Sequence, residues 1–410
     1  MAEAEFSPAQ TSPAQPQASF PFPAGPVSSP PAAFEERRRT CPFGEVRIPS
    51  GGTAIMLTKY QDVAAAVADP RLSHNLTAPG SPRTVLGANM FDDPNNLTNK
   101  EGPEHLRLRR IIAPAFTPRR AEKWRPAIRA AAAQLLAGLE QAGPPADLVN
   151  GYCLPLSVGT MWRMLGVPER DRERFRAWSN AFLSGAPMDP QEQYRRIGEF
   201  AGYVAGLLAE RRAAPGDSLI DDLIAARDGA DQLTEPELVN LVVGLIAAGN
   251  EALNSMLSRA VLTLLTERAL WEQLLAKPDL IPAAVNELLR VAYPGPVGVL
   301  RVATEDVALP SGMVKAGQAI LMAANIASLD PEAYPDPFAV RFDRDAPPQL
   351  TFGGGPHYCL GAHLARVELG IGLEVLLERL PGLRLAAEPE QLPFSEGEFV
   401  SSLLSLPVAW

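Results

Sequence analysis

Cysteine is scarce in this chain. Cys41, Cys153 and Cys359 are the only cysteines among 410 residues, and they lie far apart in the sequence. Three separated thiols cannot form a disulfide framework, so we expect a protein of the reducing cytoplasm. With 46% hydrophobic residues, the chain can be held together by a large apolar core instead.

The sequence also lacks an excess of positive charge. It has 37 Lys and Arg residues against 47 Asp and Glu residues, a formal net charge of −10. A protein with this acidic balance is not expected to bind nucleic acid or an anionic membrane through its overall field.

Patterns typical of a leader or a membrane span are missing as well. Residues 1–18 have no basic start and no apolar stretch, so we expect no signal peptide, and their Ala, Pro, Ser and Gln content predicts a disordered tail. The most apolar long run, residues 238–257, is interrupted by Asn240, Asn250, Glu251 and Asn254. Because such residues are costly in a bilayer, we expect no membrane segment.

Strand patterns are few, and helical periodicity covers most of residues 19–410, which we expect to form a single domain. The fold class is therefore mainly α with minor β sheets. Strand pairs are predicted at residues 45–48 with 53–57 and at 299–303 with 318–322. Predicted helices span residues 60–67, 119–140, 194–213, 236–266, 270–275, 281–292 and 361–380. Thr234 and Glu237 form a capping box before the longest helix, which at about 45 Å must cross the centre of the domain.

The most informative segment is FGGGPHYCLGAH, residues 352–363. Cys359 directly precedes a predicted helix, and the free N–H groups and positive end of a helix stabilise a thiolate. A thiolate held in this way is a good ligand for a soft or borderline metal, and His357 can meet an anion beside it.

Other interpretations of this segment remain open from the residues alone. Cys359 could be a small buried apolar residue, or a nucleophile with a histidine base. Zinc would need a ligand beyond His357, Cys359 and His363, and a phosphate loop would need Gly-Lys-Ser/Thr after the glycines. A structural turn and a metal site are about equally favoured.

The same segment resembles the haem-binding signature of the cytochrome P450 family, F-G-x-G-x-H-x-C-x-G, and matches it at every fixed position. The resemblance implies the cytochrome P450 fold, with haem b between the long central helix and the helix after the Cys loop. It implies Cys359 as the axial ligand of the iron, with Phe352, Gly353 and Gly361 beside the haem. In that family the thiolate pushes electron density onto iron and favours O–O cleavage.

Further motifs follow the order of that family. Glu287 and Arg290 resemble its E-x-x-R motif, a structural ion pair behind the haem. A buried haem brings two carboxylates that need fixed cations. The positions that match the family's propionate-binding residues are His105, Arg109, Arg301 and His357. Taken singly, each of these would be an ordinary surface charge or ion pair.

The central helix departs from the family pattern at one position. It reads Ala248, Gly249, Asn250, Glu251 and Ala252, where the family has A-G-x-D/E-T. In the family the Gly leaves room for oxygen, and the Thr helps to protonate it with the acid as partner. Ala252 cannot donate a proton, so water, a substrate hydroxyl or a neighbouring polar side chain would have to replace the Thr.

The resemblance implies an oxidoreductase that oxidises a mid-sized natural product with O2 and electrons from a ferredoxin and its ferredoxin reductase, for example by hydroxylation. Ala252 raises an alternative without oxygen insertion. That alternative is oxidative C–C or C–N coupling or cyclisation of an aromatic or indole-bearing compound, such as a cyclic dipeptide. A haem sensor without turnover is the third hypothesis, and it ranks last because no signalling domain is evident.

Positions that match the family's substrate-contact segments are mainly apolar, as suits a concave site for an organic molecule. They are Gly244, Ala247, Ala248, Val297, Val299, Phe399 and Val400. Ferredoxin is expected to dock on the Cys359 side, where residues 109–120 and Arg366 offer basic groups.

Overall fold

The computed structural model describes residues 18–22, 25, 30–78, 81–84, 93–171, 174, 178, 189–227, 233–295, 298–395 and 400–410. Within these ranges, the side chains at positions 169, 190, 193, 194, 247, 250 and 251 are not described. The tail predicted for residues 1–18 therefore lies outside the described residues except for Ala18, whose carbonyl accepts a hydrogen bond from Arg47 N at 2.9 Å.

Helices dominate the described part of the chain, as the periodicity predicted. In chain order they are α1 (Ala32–Thr40), α2 (Tyr60–Ala68), α3 (Gly102–Ile112), α4 (Pro118–Lys123), α5 (Arg125–Ala142), α6 (Leu154–Leu165), α7 (Pro190–Ala213), α8 (Leu219–Arg227), α9 (Glu235–Thr266), α10 (Arg268–Ala276), α11 (Ile281–Val291), α12 (Ala324–Ala327) and α13 (Ala362–Arg379). Among these helices, none combines the length and apolar character that a bilayer span requires.

The predicted helix boundaries are close to the observed ones, with one error. Thr234 and Glu237 form the predicted capping box at the start of α9. The helix predicted at 119–140 is instead two helices, α4 and α5, which meet at Trp124. Pro126 explains the break, because a proline has no N–H to donate and its ring clashes with the carbonyl of the preceding turn. Helix α7 begins four residues before its predicted start, where the Asp189 side chain accepts hydrogen bonds from two backbone N–H groups.

A mixed sheet lies at one side of the helices and has the strand order β1-β2-β8-β5-β3 in the described residues. These strands are β1 (Glu45–Arg47), β2 (Thr53–Leu57), β3 (Leu72–Ser73), β5 (Val299–Ala303) and β8 (Ala319–Met322). Both predicted strand pairs are confirmed, with Glu45 opposite Ile55 and Arg301 opposite Ile320. The parallel pairing of β2 with β8 joins these two pairs into one sheet.

Shorter strands complete the description. They are β4 (Ala146–Asp147), β6 (Val307–Leu309), β7 (Gly312–Val314), β9 (Arg384–Leu385) and β10 (Pro407–Ala409). Strand β10 lies between β4 and β9, and β6 pairs with β7. Because β4 and β10 come from distant parts of the sequence, the chain end is fastened to the segment after α5.

The main core is formed by helices packed around α9. Helix α9 packs against α6, α7 and α13, and α13 packs against α5 and α11. Trp271 on α10 is fully buried, and its indole N–H donates to Pro381 O at 2.9 Å. A helix in this central position needs apolar residues on most faces, so polar or accessible positions in its middle require an explanation.

A buried ion pair connects α11 to the chain before the Cys loop. Arg290 donates to both oxygens of Glu287 at 2.7 and 2.8 Å, and the two side chains are 2% and 6% exposed. Glu287 also accepts from Arg344, and Arg290 donates to Ser328 O and Pro337 O. Removal of one partner from such a pair leaves a buried charge uncompensated, so the pair fixes how this segment packs.

A second buried acid, Glu368 on α13, has different surroundings. It is 2% exposed, and its Oε1 has no hydrogen-bond partner among the described groups. Burial raises the pKa of this carboxyl well above the ordinary value of a glutamate. The protonated form is therefore favoured in the folded protein.

We predict that Glu368→Gln makes stability less dependent on pH. Because the folded-state pKa of Glu368 lies above its unfolded value, the wild-type protein loses stability as the pH rises from the unfolded pKa towards the folded one. Glutamine has no proton to lose, so the advantage of the variant should grow by up to about 1.4 kcal/mol per pH unit in that window. Urea unfolding of the wild type and the variant between pH 5 and pH 8 measures this difference in the free energy of unfolding. Glu378→Gln, at a side chain that is 53% exposed, should show no such trend, and an equally flat difference for Glu368→Gln would contradict the prediction.

Candidate functional site

Glycines in the Cys loop allow it to lie directly against the end of α2. Gly353 and Gly355 have φ angles of +70° and +61°, which side-chain-bearing residues rarely adopt. A Cβ at Gly355 would lie 2.7 Å from Val67 O and 3.0 Å from Ala68 Cα. Gly353 is therefore required by the turn, and Gly355 by both the turn and the contact with α2.

Cys359 follows this turn, three residues before the start of α13. Its N–H donates to Phe352 O at 2.9 Å, which closes the loop. Protein surrounds the thiol on most sides, and this burial raises its pKa above the ordinary cysteine value. The residue is nevertheless accessible to solvent. A thiol that is desolvated by its neighbours and is still accessible can be reached by a ligand.

Positive groups surround Cys359 as expected, but their effect on the pKa of its thiol is smaller than that of burial. The N–H groups of Gly361 and Ala362 and the charges of Arg109 and Arg366 act to lower the pKa of the thiol, whereas burial has the larger effect and raises it. The helix end therefore favours the thiolate, but in the free thiol its effect on the pKa is smaller than that of burial. A cation at the sulfur would supply the missing compensation.

Two arginines brace the Cys loop. Arg109 on α3 donates to Tyr358 O at 2.8 Å. Arg366 on α13 donates to the Tyr358 hydroxyl at 3.2 Å, and its guanidinium lies 4.5 Å from the ring centre of Phe352. These contacts orient Phe352 and the main chain on either side of Cys359.

Three of the four histidines form a stack next to the loop. The His357 ring lies between His74 and His105, with ring centres 3.9 and 4.0 Å away. Burial is the main cause that lowers the pKa of His74 to about 2 and that of His105 to about 4. Both are therefore neutral at pH 7, and each neutral ring still has one N–H to donate.

Arg301 on β5 completes this group of donors. It is 4% exposed and donates to Ala66 O and Val67 O at the end of α2. Burial lowers its pKa to about 10, so it keeps its charge at neutral pH. Among the described residues, no carboxylate lies within ion-pair distance of it.

Two buried nitrogen atoms in this group have no hydrogen-bond partner among the residues that the structure describes. They are Nε of Arg301 and Nε2 of His74. Buried donors are normally satisfied, so the unpaired atoms indicate that an anionic or acceptor group belongs beside them. The donor set fits the two carboxylates of a haem, and the nearby accessible thiol of Cys359 fits its iron.

One face of α9 borders open space. Gly244, Ala248 and Ala252 follow each other at intervals of four residues, so they share a face of the helix. Ala248 and Ala252 are exposed although α9 is a central helix. Among the described residues, a Cβ at Gly244 would meet nothing within 4 Å. The small residues therefore border space that the described part of the chain leaves open.

Gly249 lies beside Met161 of α6. A Cβ there would lie 1.9 Å from Met161 Cε. The absence of a side chain therefore leaves room for the Met161 side chain, and the expectation that it makes room for oxygen stays a prediction. Ala248, one residue earlier, faces the open space instead.

Several predicted positions cannot be placed further. The side chains of Ala247, Asn250 and Glu251 lie outside the described ones, although their backbones are part of α9. Val297 and Phe399 lie outside the described residues. Val299 begins β5 and Val400 precedes Ser401, and both are half-buried.

His74 and Glu101 belong to the site but were not among the residues predicted from the sequence. Glu101 accepts hydrogen bonds from His74 N and from the Ser73 hydroxyl at 2.5 and 3.1 Å, and its other oxygen lies 3.9 Å from His357 Nε2. His74 directly follows the DPRLS segment, and histidine is rare in this chain, so its identity was a usable signal. The contact with Glu101 arises only from tertiary packing.

Comparisons with known proteins agree with this arrangement. The family model described as cytochrome P450 matches residues 187–400. Mycinamicin IV hydroxylase/epoxidase of Micromonospora griseorubida is 40% identical over 386 residues, which cover 92% of this chain and 94% of that protein.

Solved structures give the same result over nearly the whole chain. The crystal structure of LnmA, a cytochrome P450 hydroxylase from the leinamycin pathway of Streptomyces atroolivaceus, superposes with a TM-score of 0.88 at 39% identity and covers 96% of this chain and 100% of its own. The crystal structure of SgvP, a putative thioether synthase involved in griseoviridin tailoring, superposes with a TM-score of 0.91 at 33% identity. It covers 97% of this chain and 100% of its own. With at least 92% of its length matched by each of these relatives and its Cys loop intact, the chain belongs to the cytochrome P450 family.

Proposed function

We propose that the protein is a haem b monooxygenase that inserts oxygen into a mid-sized natural product. The observation that carries this proposal is the pairing of an accessible, desolvated Cys359 thiol with buried, unpartnered donors on His74 and Arg301. The substrate class is supported by relatives named mycinamicin IV hydroxylase/epoxidase and a cytochrome P450 hydroxylase from the leinamycin biosynthetic pathway.

The residues of the site would divide between binding the iron of the haem and binding its propionates. Cys359 would bind the iron, and His105, Arg109, Arg301 and His357 would bind the two propionates, with His74 as an additional donor. When bound, haem with O2 and two electrons supplies the oxidant that acts on an unactivated C–H bond. The protein's own contribution is to fix the cofactor, exclude water and orient the substrate.

The open face of α9 would receive the substrate. Gly244, Ala248 and Ala252 offer a smooth apolar wall, which suits a bulky organic molecule better than a charged one. Ala252 has no hydroxyl, so it cannot hold or pass a proton. Protons must then come from water or from a hydroxyl of the substrate itself.

Oxidative coupling or cyclisation is the second candidate, and Ala252 is the observation that favours it. Without the family Thr at this position, the site departs from the usual arrangement for hydroxylation, which points to a reaction whose product keeps no oxygen atom. The structural relative SgvP is named a putative thioether synthase, a bond-forming activity. Heavy-oxygen labelling separates the two candidates, since only a monooxygenase transfers an atom of O2 to the product.

A ferredoxin with its reductase is the proposed electron source. Arg109 and Arg366 lie beside the Cys loop, and Arg119 is exposed at the start of α4. Arg120 is in an ion pair with Asp222, so its charge is partly compensated. A small acidic electron-transfer protein would find its positive contacts on this side.

The first prediction from this proposal concerns the thiolate. Reduced protein exposed to carbon monoxide should show the red-shifted Soret band typical of thiolate ligation. Cys359→Ala should abolish that band because no other thiol can reach the iron, whereas Cys41→Ala at an exposed cysteine should retain it fully. A wild-type spectrum without this band would refute the haem-thiolate assignment.

The second prediction concerns Ala252. Since this residue faces open space, Ala252→Thr should fit without strain and should lower hydrogen peroxide release per NADPH consumed severalfold, because a positioned hydroxyl can deliver protons. Ala252→Val has nearly the same shape and no hydroxyl, so it should not lower the release. The assay uses a substrate found by its spectral shift on binding. Equal values for the Thr and Val variants would show that the hydroxyl has no role.

The third prediction concerns His74. In His74→Phe the ring stack on His357 can persist while the unpartnered nitrogen is lost. Loss of one hydrogen bond to a charged group should speed haem transfer to excess apomyoglobin by about tenfold. His363→Phe, at an exposed position of α13, serves as the control. A transfer rate that matches the wild type would remove His74 from the cofactor site.

A further inference from the structure

A buried arginine connects α9 to the last hairpin of the chain. Arg259 is 5% exposed and donates from Nη2 to Ser401 O at 3.0 Å and from Nε to Ser255 Oγ at 3.3 Å. Its guanidinium also lies 4.7 Å from the ring centre of Phe394. Within the described part of the chain, no carboxylate is in ion-pair distance. The hydrogen bonds of Arg259 go to the hairpin and α9, and Tyr293 also interacts with its charge.

The hairpin that Arg259 contacts is short and well defined at its base. Phe394 pairs with Leu403 across it, and Ser395 N donates to Ser402 O at 2.9 Å. Leu404 N donates to Pro393 O at 2.9 Å and extends the pairing outward. We call residues 393–395 and 400–404 the terminal hairpin; residues 396–399 lie outside the described residues.

Ser401 in this hairpin is held by three parts of the chain at once. Its carbonyl accepts from Ser255 Oγ at 2.9 Å as well as from Arg259. Its N–H donates to Pro294 O at 2.7 Å. Gly295, with φ +106°, passes so closely that a Cβ there would lie 2.9 Å from Ser401 N. Ser401 is thus a junction of α9, the segment before β5 and the terminal hairpin.

This junction lies next to the open face of α9. Ser255 is three residues after Ala252, which corresponds to about 4.5 Å along the helix axis. Val400, which is half-buried, directly precedes Ser401. The junction therefore anchors this apolar residue to the turn of α9 that follows Ala252.

A buried arginine is an expensive way to obtain stability alone. A guanidinium that is removed from water loses hydration, and an apolar residue of similar volume is often as stabilising. Arginine offers something else, because its planar fork reaches two acceptors and an aromatic face in one fixed geometry. This combination suits a group that sets the position of a main-chain segment.

We propose that Arg259 is a positioning residue for substrate binding: it holds the terminal hairpin preorganised against α9, so that a bulky ligand does not have to order it. The inference rests on the proposed function, since it requires a ligand beside the haem site. A small ligand that touches only the iron should be indifferent to Arg259. A large one that reaches the hairpin should depend on it.

Azoles of different size test this proposal, because their ring nitrogen binds haem iron and their bulk reports on the surrounding pocket. We expect Arg259→Lys to weaken clotrimazole binding by about fivefold or more in spectral titration, while imidazole binding stays within about twofold. Lysine keeps the charge but cannot span Ser401, Ser255 and the Phe394 ring together. Ser255→Ala, which removes one contact of the junction, should act in the same direction with a smaller loss and serves if Arg259→Lys does not fold.

Arg38→Lys is the matched control. Arg38 is also a buried arginine, 8% exposed, and it donates to the backbone carbonyls of Thr58, Ile326 and Leu329, in the sheet region. The Arg38→Lys variant should have a lower unfolding midpoint, but the ratio of its clotrimazole and imidazole dissociation constants should not change. If Arg259→Lys also lowers only the midpoint, or weakens both azoles equally, the positioning role is refuted. If the wild-type protein shows no azole-induced shift, the proposed haem function fails and the inference with it.

Discussion

Desolvation of the Cys359 sulfur is the constraint on which much of this structure depends. A thiolate inside a protein is unfavourable unless positive charge or hydrogen bonds compensate it, and the surrounding N–H groups and arginines compensate it only in part. The part of the thiolate's charge that remains uncompensated gives the site an affinity for a cation. At the histidine stack and Arg301 the situation is reversed, because buried hydrogen-bond donors there have no acceptor among the described residues. One ligand that carries both a metal centre and carboxylates satisfies both conditions, and haem is such a ligand.

The two regions are joined by short, direct contacts instead of long-range effects. Arg109 donates to Tyr358 O beside Cys359, and it shares α3 with His105. His357 belongs to the Cys loop and to the histidine stack at once. The loop, α3 and β5 must therefore be assembled together before either part of the cofactor can be held. This explains why α11, through Glu287 and Arg290, is tied so firmly to the chain that leads into the loop.

Local sequence signals predicted the parts of the molecule that depend on neighbours in the chain. The capping box at Thr234, the hairpin before β2 and the Cys loop with its following helix were all visible as contiguous patterns. Features that depend on distant partners were not. The parallel pairing of β2 with β8, the place of Met161 against Gly249 and the position of His74 between Glu101 and His357 arise from tertiary packing. The family resemblance supplied the order of motifs, but it could not supply these contacts.

Helix α2 has a position that links the cofactor region to the sheet. Its last carbonyls accept hydrogen bonds from Arg301, and Gly355 of the Cys loop lies against the same turn. Arg301 has a nitrogen still unpaired, so a carboxylate that binds there would redistribute the hydrogen bonds at the end of α2. By thermodynamic reciprocity, cofactor occupancy and the order of this turn must influence each other. The amide protons of Val67 and Ala68 would then report, through their exchange with solvent, how much of the enzyme is loaded.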